Sequence, residues 1–172
     1  GINMKKLTVA LIGAGNRGQT YTDLMKNDHF QVVAVAEPIE ARREYIRQTH
    51  HIPAEMCFNS WEDFVKQPKC ADVAIVATQD RMHFEPAMAL IRLNYNLLLE
   101  KPAAPTAEEC LKLAQAAKEQ GVKILVCHVL RYSPFFGKLK ELIDSGIVGT
   151  VLSVHHDECV GNVHQSHSFV RG

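Results

Sequence analysis

Leu7-Thr8-Val9-Ala10-Leu11-Ile12-Gly13-Ala14-Gly15-Asn16-Arg17-Gly18 decides the fold. An apolar, β-branched run leads straight into Gly-x-Gly-x-x-Gly, and a helix-compatible segment follows to Asn27. Each glycine has its own reason. Gly13 permits the tight turn off the strand, Gly15 lets the backbone approach a pyrophosphate, and Gly18 lets the helix pack closely on its strand. The free N–H groups and positive dipole end of that helix then face the phosphates. A second apolar run, Gln31 to Ala36, ends in Glu37. That acid lies about 20 residues past the loop, where a carboxylate holds a ribose hydroxyl. Strand, loop, helix and acid together predict dinucleotide binding. The competing reading is a doubly wound domain that has lost its ligand.

Working outward, 172 residues allow one well-cored domain and the start of another. Nineteen basic and nineteen acidic residues balance, which gives no electrostatic footprint for nucleic acid or an anionic membrane. No apolar run approaches the ~20 residues of a membrane span. The first residues lack the pattern of a secretory signal, and Met4 is the expected natural start. Five scattered cysteines without a Cys-x-x-Cys spacing argue for a reducing, cytoplasmic setting.

Along the chain, apolar runs alternate with helical patterns, the signature of a parallel sheet covered on both faces. Strands are predicted over 7–13, 32–36, 72–78, 96–100 and 123–127. Helices are predicted over 18–27, 40–50, 61–66, 84–93 and 107–120. Ser60 with Asp63, and Thr106 with Glu109, have the spacing of capping boxes. Gly121 is placed to stop the helix it follows. Ser133-Pro134 reads as cap and first residue of another helix, running to about Asp144 and closed by Gly146. Thr150 to His155 alternates like a half-exposed strand. The expectation is an α/β, doubly wound (Rossmann) domain over 4–148. Residues 149–172 are read as the start of a truncated second α+β domain.

In open parallel sheets ligands sit beyond the carboxyl ends of the strands. The third predicted strand ends at Ala77-Thr78, with His83 shortly after. The fourth ends at Glu100-Lys101-Pro102, and the fifth at His128, with Arg131 just beyond. Glu100-Lys101-Pro102 reads either as a solvated turn or as a device that places the Lys101 ammonium near a nicotinamide. In the second case it stabilises alkoxide character during hydride transfer. His83 either caps and packs, or contacts the ligand.

These residues carry a resemblance. Gly13–Gly18, Ala36-Glu37-Pro38, Ala77-Thr78 with His83, and above all Glu100-Lys101-Pro102 resemble the Gfo/Idh/MocA family of oxidoreductases. Ser133-Pro134 and Gly146-Ile147-Val148-Gly149 are similar to the family's helix and crossover into its second domain. The resemblance implies an NAD(P)-dependent enzyme that oxidises a secondary hydroxyl on a sugar, cyclitol or related polyol, or reduces the ketone, with Lys101 acting beside the nicotinamide. The family's other catalytic group, on a helix of the second domain, is expected downstream of residue 172. The cofactor-binding set is therefore Gly13, Gly15, Asn16, Arg17, Gly18, Glu37, Thr78, His83, Glu100, Lys101 and Arg131, with Lys101 also catalytic.

Glu37 suits two ribose hydroxyls and repels a 2′-phosphate, by about 4 kcal/mol for unit charges 4 Å apart in a partly screened site. NAD is therefore expected, with NADP possible if Arg42 or Arg43 leaves the solvated face of its helix. His155, His156, Asp157, Glu158, Cys159, His164 and His167 supply ligand types but no firm metal-site spacing, and no metal is expected. The full-length protein is expected to be a homo-oligomer. The rival function is an NAD(H)-sensing module without catalysis, which would need no ammonium at the nicotinamide.

Overall fold

Continuous apolar runs become parallel strands because both of their faces are covered. In the computed structural model, which describes residues 5–159 and 161, the elements run β1 (Leu7–Ile12), α1 (Asn16–Leu24), β2 (Phe30–Ala36), α2 (Glu40–His50), β3 (Cys57–Phe58), α3 (Trp61–Phe64), β4 (Val73–Val76), α4 (Phe84–Arg92), β5 (Asn96–Leu99), α5 (Ala107–Gln120), β6 (Ile124–Val126) and α6 (Pro134–Asp144). The six strands form one sheet in the order β3-β2-β1-β4-β5-β6, and every pairing is parallel. This is the doubly wound order, whose direction reverses between β1 and β4.

Alternation along β1 sorts its side chains to the two faces. Val9 and Leu11 pack with Val32, Val35, Ile46 and Ile75. Ala10 and Ile12 pack with Ala34, Ala74, Val76, Phe64, Leu90 and Leu97. Val33 and Ala34 both join the second cluster, although they are adjacent. A register shift between β1 and β2 explains this: Val9 pairs with Val32, but Ala10 pairs with Ala34.

The chain divides into two compact units, Gly1–Cys127 and His128–Gly172. The first holds the whole sheet. Within the second, Ser133 Oγ accepts the Phe136 N–H at 3.3 Å and Pro134 opens α6.

Three differences from the sequence reading have local causes. β3 was missed because two residues are too short to show a period; it sits at the sheet edge, beside β2. α1 begins at Asn16 and not at Gly18, so the third glycine lies inside the helix. Thr150 to His155 forms no strand: residues 151–159 carry no regular structure and are exposed. The alternation is present, but among the described residues no second strand pairs with it. His164 and His167 lie outside the described residues. Among the described residues no group of three possible metal ligands is assembled.

Candidate functional site

At the point where strand order reverses, the loop after β1 meets the loop after β4. Gly13 adopts φ +90°, and a Cβ there would stand 2.6 Å from the Ala77 carbonyl oxygen. On Gly18 a Cβ would stand 2.1 Å from the Gly13 carbonyl oxygen and 3.2 Å from Leu11 Cδ1. The protein's own packing thus demands glycine at both positions. Gly15 differs: its φ is −69°, and the nearest atom to a Cβ there is an Arg42 guanidinium nitrogen at 4.0 Å. Among the described residues nothing comes closer than that guanidinium tip, so the room suits a backbone-hugging ligand. Gly15 is also the N-cap of α1 and brings no side-chain acceptor, and the first turn holds no acidic residue. The helix start therefore presents uncapped N–H donors at its positive end. The Asn16 and Arg17 side chains beside it are exposed.

Glu37, at the end of β2, is only 4% exposed. Its Oε2 accepts the Ala14 N–H at 2.7 Å and its Oε1 accepts the Ile39 N–H at 3.0 Å. The carboxylate thus ties the glycine loop to the β2 end. Each oxygen retains acceptor capacity for a further donor. The arginines that follow do not simply line a solvated helix face. Arg43 folds back to donate to the Glu37 carbonyl at 2.6 Å, and the tip of Arg42 reaches toward Gly15.

On the other side of the reversal, Thr78 Oγ1 donates to the Met82 carbonyl at 3.1 Å. His83 is buried, 1% exposed. Its ring spans the Pro102 carbonyl, at 2.7 Å from Nδ1, and the Thr78 carbonyl, at 3.0 Å from Nε2. Neither ring nitrogen is left for the rim; the side chain joins the loops after β4 and β5. Glu100 is likewise buried. Its Oε2 accepts the Lys101 N–H at 2.9 Å, and its Oε1 accepts the Tyr21 hydroxyl. Lys101 itself is exposed. Arg131 lies in the second unit, exposed, on a 3-10 turn over Val129–Tyr132.

The first unit thus gathers Gly13, Gly15, Asn16, Arg17, Gly18, Glu37, Thr78, His83, Glu100 and Lys101 at the carboxyl ends of β1, β2, β4 and β5. Sequence reading missed Tyr21. No motif marks it, and only the fold brings it to a residue 79 positions away.

Known proteins agree with this architecture. The chain is 28% identical over 152 residues to inositol 2-dehydrogenase of Salmonella typhimurium, a match covering 87% of this chain and 45% of that protein. It is 27% identical over 152 residues to 2,7-anhydro-N-acetylneuraminate hydratase of Escherichia coli, covering 87% and 39%. The chain therefore spans less than half the length of these curated relatives. Among solved structures, scyllo-inositol dehydrogenase from Lactobacillus casei with bound NAD(H) and scyllo-inositol superposes with a TM-score of 0.77. The identity is 18%, and the match covers 84% of this chain and 43% of that one. Residues 7–128 match the family model described as an oxidoreductase family with an NAD-binding Rossmann fold, so the chain belongs to the Gfo/Idh/MocA oxidoreductases.

Proposed function

We propose that this chain is the cofactor-binding part of an NAD-dependent oxidoreductase that interconverts a secondary hydroxyl and a ketone on a cyclitol, sugar or related polyol. The observation that carries the reading is Gly15. It alone of the three motif glycines is required by no protein contact, and it stands at an uncapped helix start beside a buried acid. Bound NAD supplies a hydride acceptor, and NADH a hydride donor.

The chain's residues do the rest. The N–H groups of Asn16, Arg17 and Gly18 hold the pyrophosphate. Glu37 takes the ribose hydroxyls on its remaining lone pairs. Thr78 borders the nicotinamide side. His83 and Glu100 fix the loops on which Thr78 and Lys101 sit. The exposed Lys101 ammonium steadies negative charge on the substrate oxygen as the hydride moves. In this reading residues 4–148 serve the cofactor, and the stretch from 149 opens the substrate half. Relatives named as inositol dehydrogenases support a cyclitol first. A relative of nearly equal likeness is named as a hydratase. Lys101 favours an enzyme over an NAD(H) sensor, because binding alone needs no ammonium at the rim.

The test is calorimetry and thermal shift on this chain with NAD and NADH, followed by a polyol screen. NADH at 100 times its Kd should add about 2.7 kcal/mol of stability by mass action. This chain alone should bind without turnover, because holding substrate carbon against the nicotinamide accounts for roughly 7–11 kcal/mol of barrier. Neither heat nor thermal shift at millimolar cofactor would remove the assignment. In the full-length enzyme, Lys101→Ala should depress kcat with little change in NAD affinity; undiminished turnover would exclude Lys101.

A further inference from the structure

Tyr21 lies on α1, three residues past the last glycine of the loop, and is half-buried. Its hydroxyl donates to Glu100 Oε1, and the Cys127 thiol adjoins the same hydroxyl. Burial first, then the contacts with Glu100 and Cys127, push the Tyr21 phenol well above its ordinary value, so it stays a protonated donor. Glu100 uses its other oxygen to accept the Lys101 N–H at 2.9 Å. A continuous path therefore runs from α1, through one hydroxyl and one buried carboxylate, to the backbone of Lys101. The helix at one end of this path is the one whose start carries no side-chain cap.

We propose that Tyr21 is a positioning residue whose hydroxyl, acting through Glu100, holds the Lys101 backbone in register with the cofactor-loop helix. The proposal rests on the reading of Lys101 as the group beside the nicotinamide. The physical need is plain. A buried carboxylate that loses one donor is left under-satisfied and turns to find another. As it turns, its other oxygen leaves the line of the Lys101 N–H, so the bond to Lys101 weakens first. Tyr21→Phe removes the donor and keeps the ring, which leaves the packing of α1 on the sheet intact.

Residue-resolved hydrogen exchange on the native chain tests this. In Tyr21→Phe the Lys101 amide should exchange about tenfold faster, the scale of one hydrogen bond. The amides of Ala74 and Val76 in β4 should keep their rates. NADH should slow Lys101 exchange in the parent, and this protection should shrink in the variant while NADH affinity stays within about threefold. Unchanged Lys101 exchange in Tyr21→Phe would overturn the proposal. So would an acceleration shared equally by the β4 amides, which would mark a packing role only. If Tyr21→Phe does not fold, Glu100→Gln decides, because its amide cannot serve both donors as the carboxylate does; an unaltered Lys101 amide there would also be fatal. A parent chain that binds no NADH would defeat the functional reading, while the exchange difference without cofactor would still judge Tyr21.

Discussion

Gly15 and Gly18 lack the same atom for different reasons, and substitution separates them. At Gly18 a Cβ falls 2.1 Å from the Gly13 carbonyl oxygen, a backbone atom that cannot swing away. Gly18→Ala should cost about 1–3 kcal/mol or more through overpacking, seen as a lower denaturation midpoint with or without cofactor. At Gly15 the space is open and the backbone angles suit any residue. Gly15→Ala should change stability by less than about 1 kcal/mol, the scale of an N-cap replacement. It should weaken NADH at least tenfold, because the new methyl occupies the ligand's approach. Equal NADH affinity in Gly15→Ala and parent would show that the ligand lies elsewhere. Glu37 combines the two demands. Glu37→Ser removes the charge that repels a 2′-phosphate and should relax preference toward NADPH. It also strips the acceptor from the Ala14 and Ile39 N–H groups, so the variant should be less stable than its parent. A parent that already binds NADPH more tightly would shift the selection to Arg42 and Arg43.

Among the elements, the staple at the amino ends of β1 and β4 is as informative as the rim. Asp72 Oδ2 accepts the Thr8 N–H at 2.9 Å and the Thr8 hydroxyl at 2.7 Å, and the Asp72 N–H donates to Thr8 Oγ1 at 2.9 Å. The Thr8 backbone N–H, and next its hydroxyl, hold the Asp72 carboxyl below its ordinary value. A depressed carboxylate contributes stability that is present above its unfolded value, near 3.9. That contribution fades as pH falls through the lower folded value. Asp72→Asn should cost about 1 kcal/mol at neutral pH, after allowance for solvent at this half-exposed site. It should also flatten the loss of stability below about pH 4, as measured by urea titrations across pH. An unchanged acid limb would mean that the staple contributes nothing. This staple was invisible in the sequence, because Thr8 and Asp72 become neighbours only when β1 and β4 pair. What could be read in advance was local. Thr106 Oγ1 does accept the Glu109 N–H at 3.2 Å, and Gly121 does end α5 with φ +68°. The glycine loop and Glu37 were legible because a motif spacing carries them. Tyr21 and the folding back of Arg43 were not, since they depend on contacts that no period encodes.

At the scale of the whole molecule, the two units differ in how they treat apolar surface. The first buries it against a six-stranded sheet, with Leu11, Ala34, Ile75, Leu90 and Leu99 wholly enclosed. In the second, α6 leaves Phe135, Leu139, Leu142 and Ile143 exposed, and Ile147, Leu152 and Val154 are exposed beyond it, Leu152 by 92%. Apolar residues scattered singly are ordinary, but a run of this density is a surface that seeks a partner. Residues 151–159 also carry no ladder among the described residues, and unladdered backbone invites pairing with another chain. The expected partner in a solution of this chain is a second copy, and the expected behaviour is self-association that strengthens with concentration and with added sulfate. Sedimentation across a concentration series reads it directly. Leu139→Glu and Leu152→Glu each place a charge on this surface, and both positions belong to the second unit. Each should shift the distribution toward monomer without changing the NADH-induced thermal shift. A strict monomer at every concentration, with slow amide exchange over residues 150–156, would show that this surface is already satisfied within one chain.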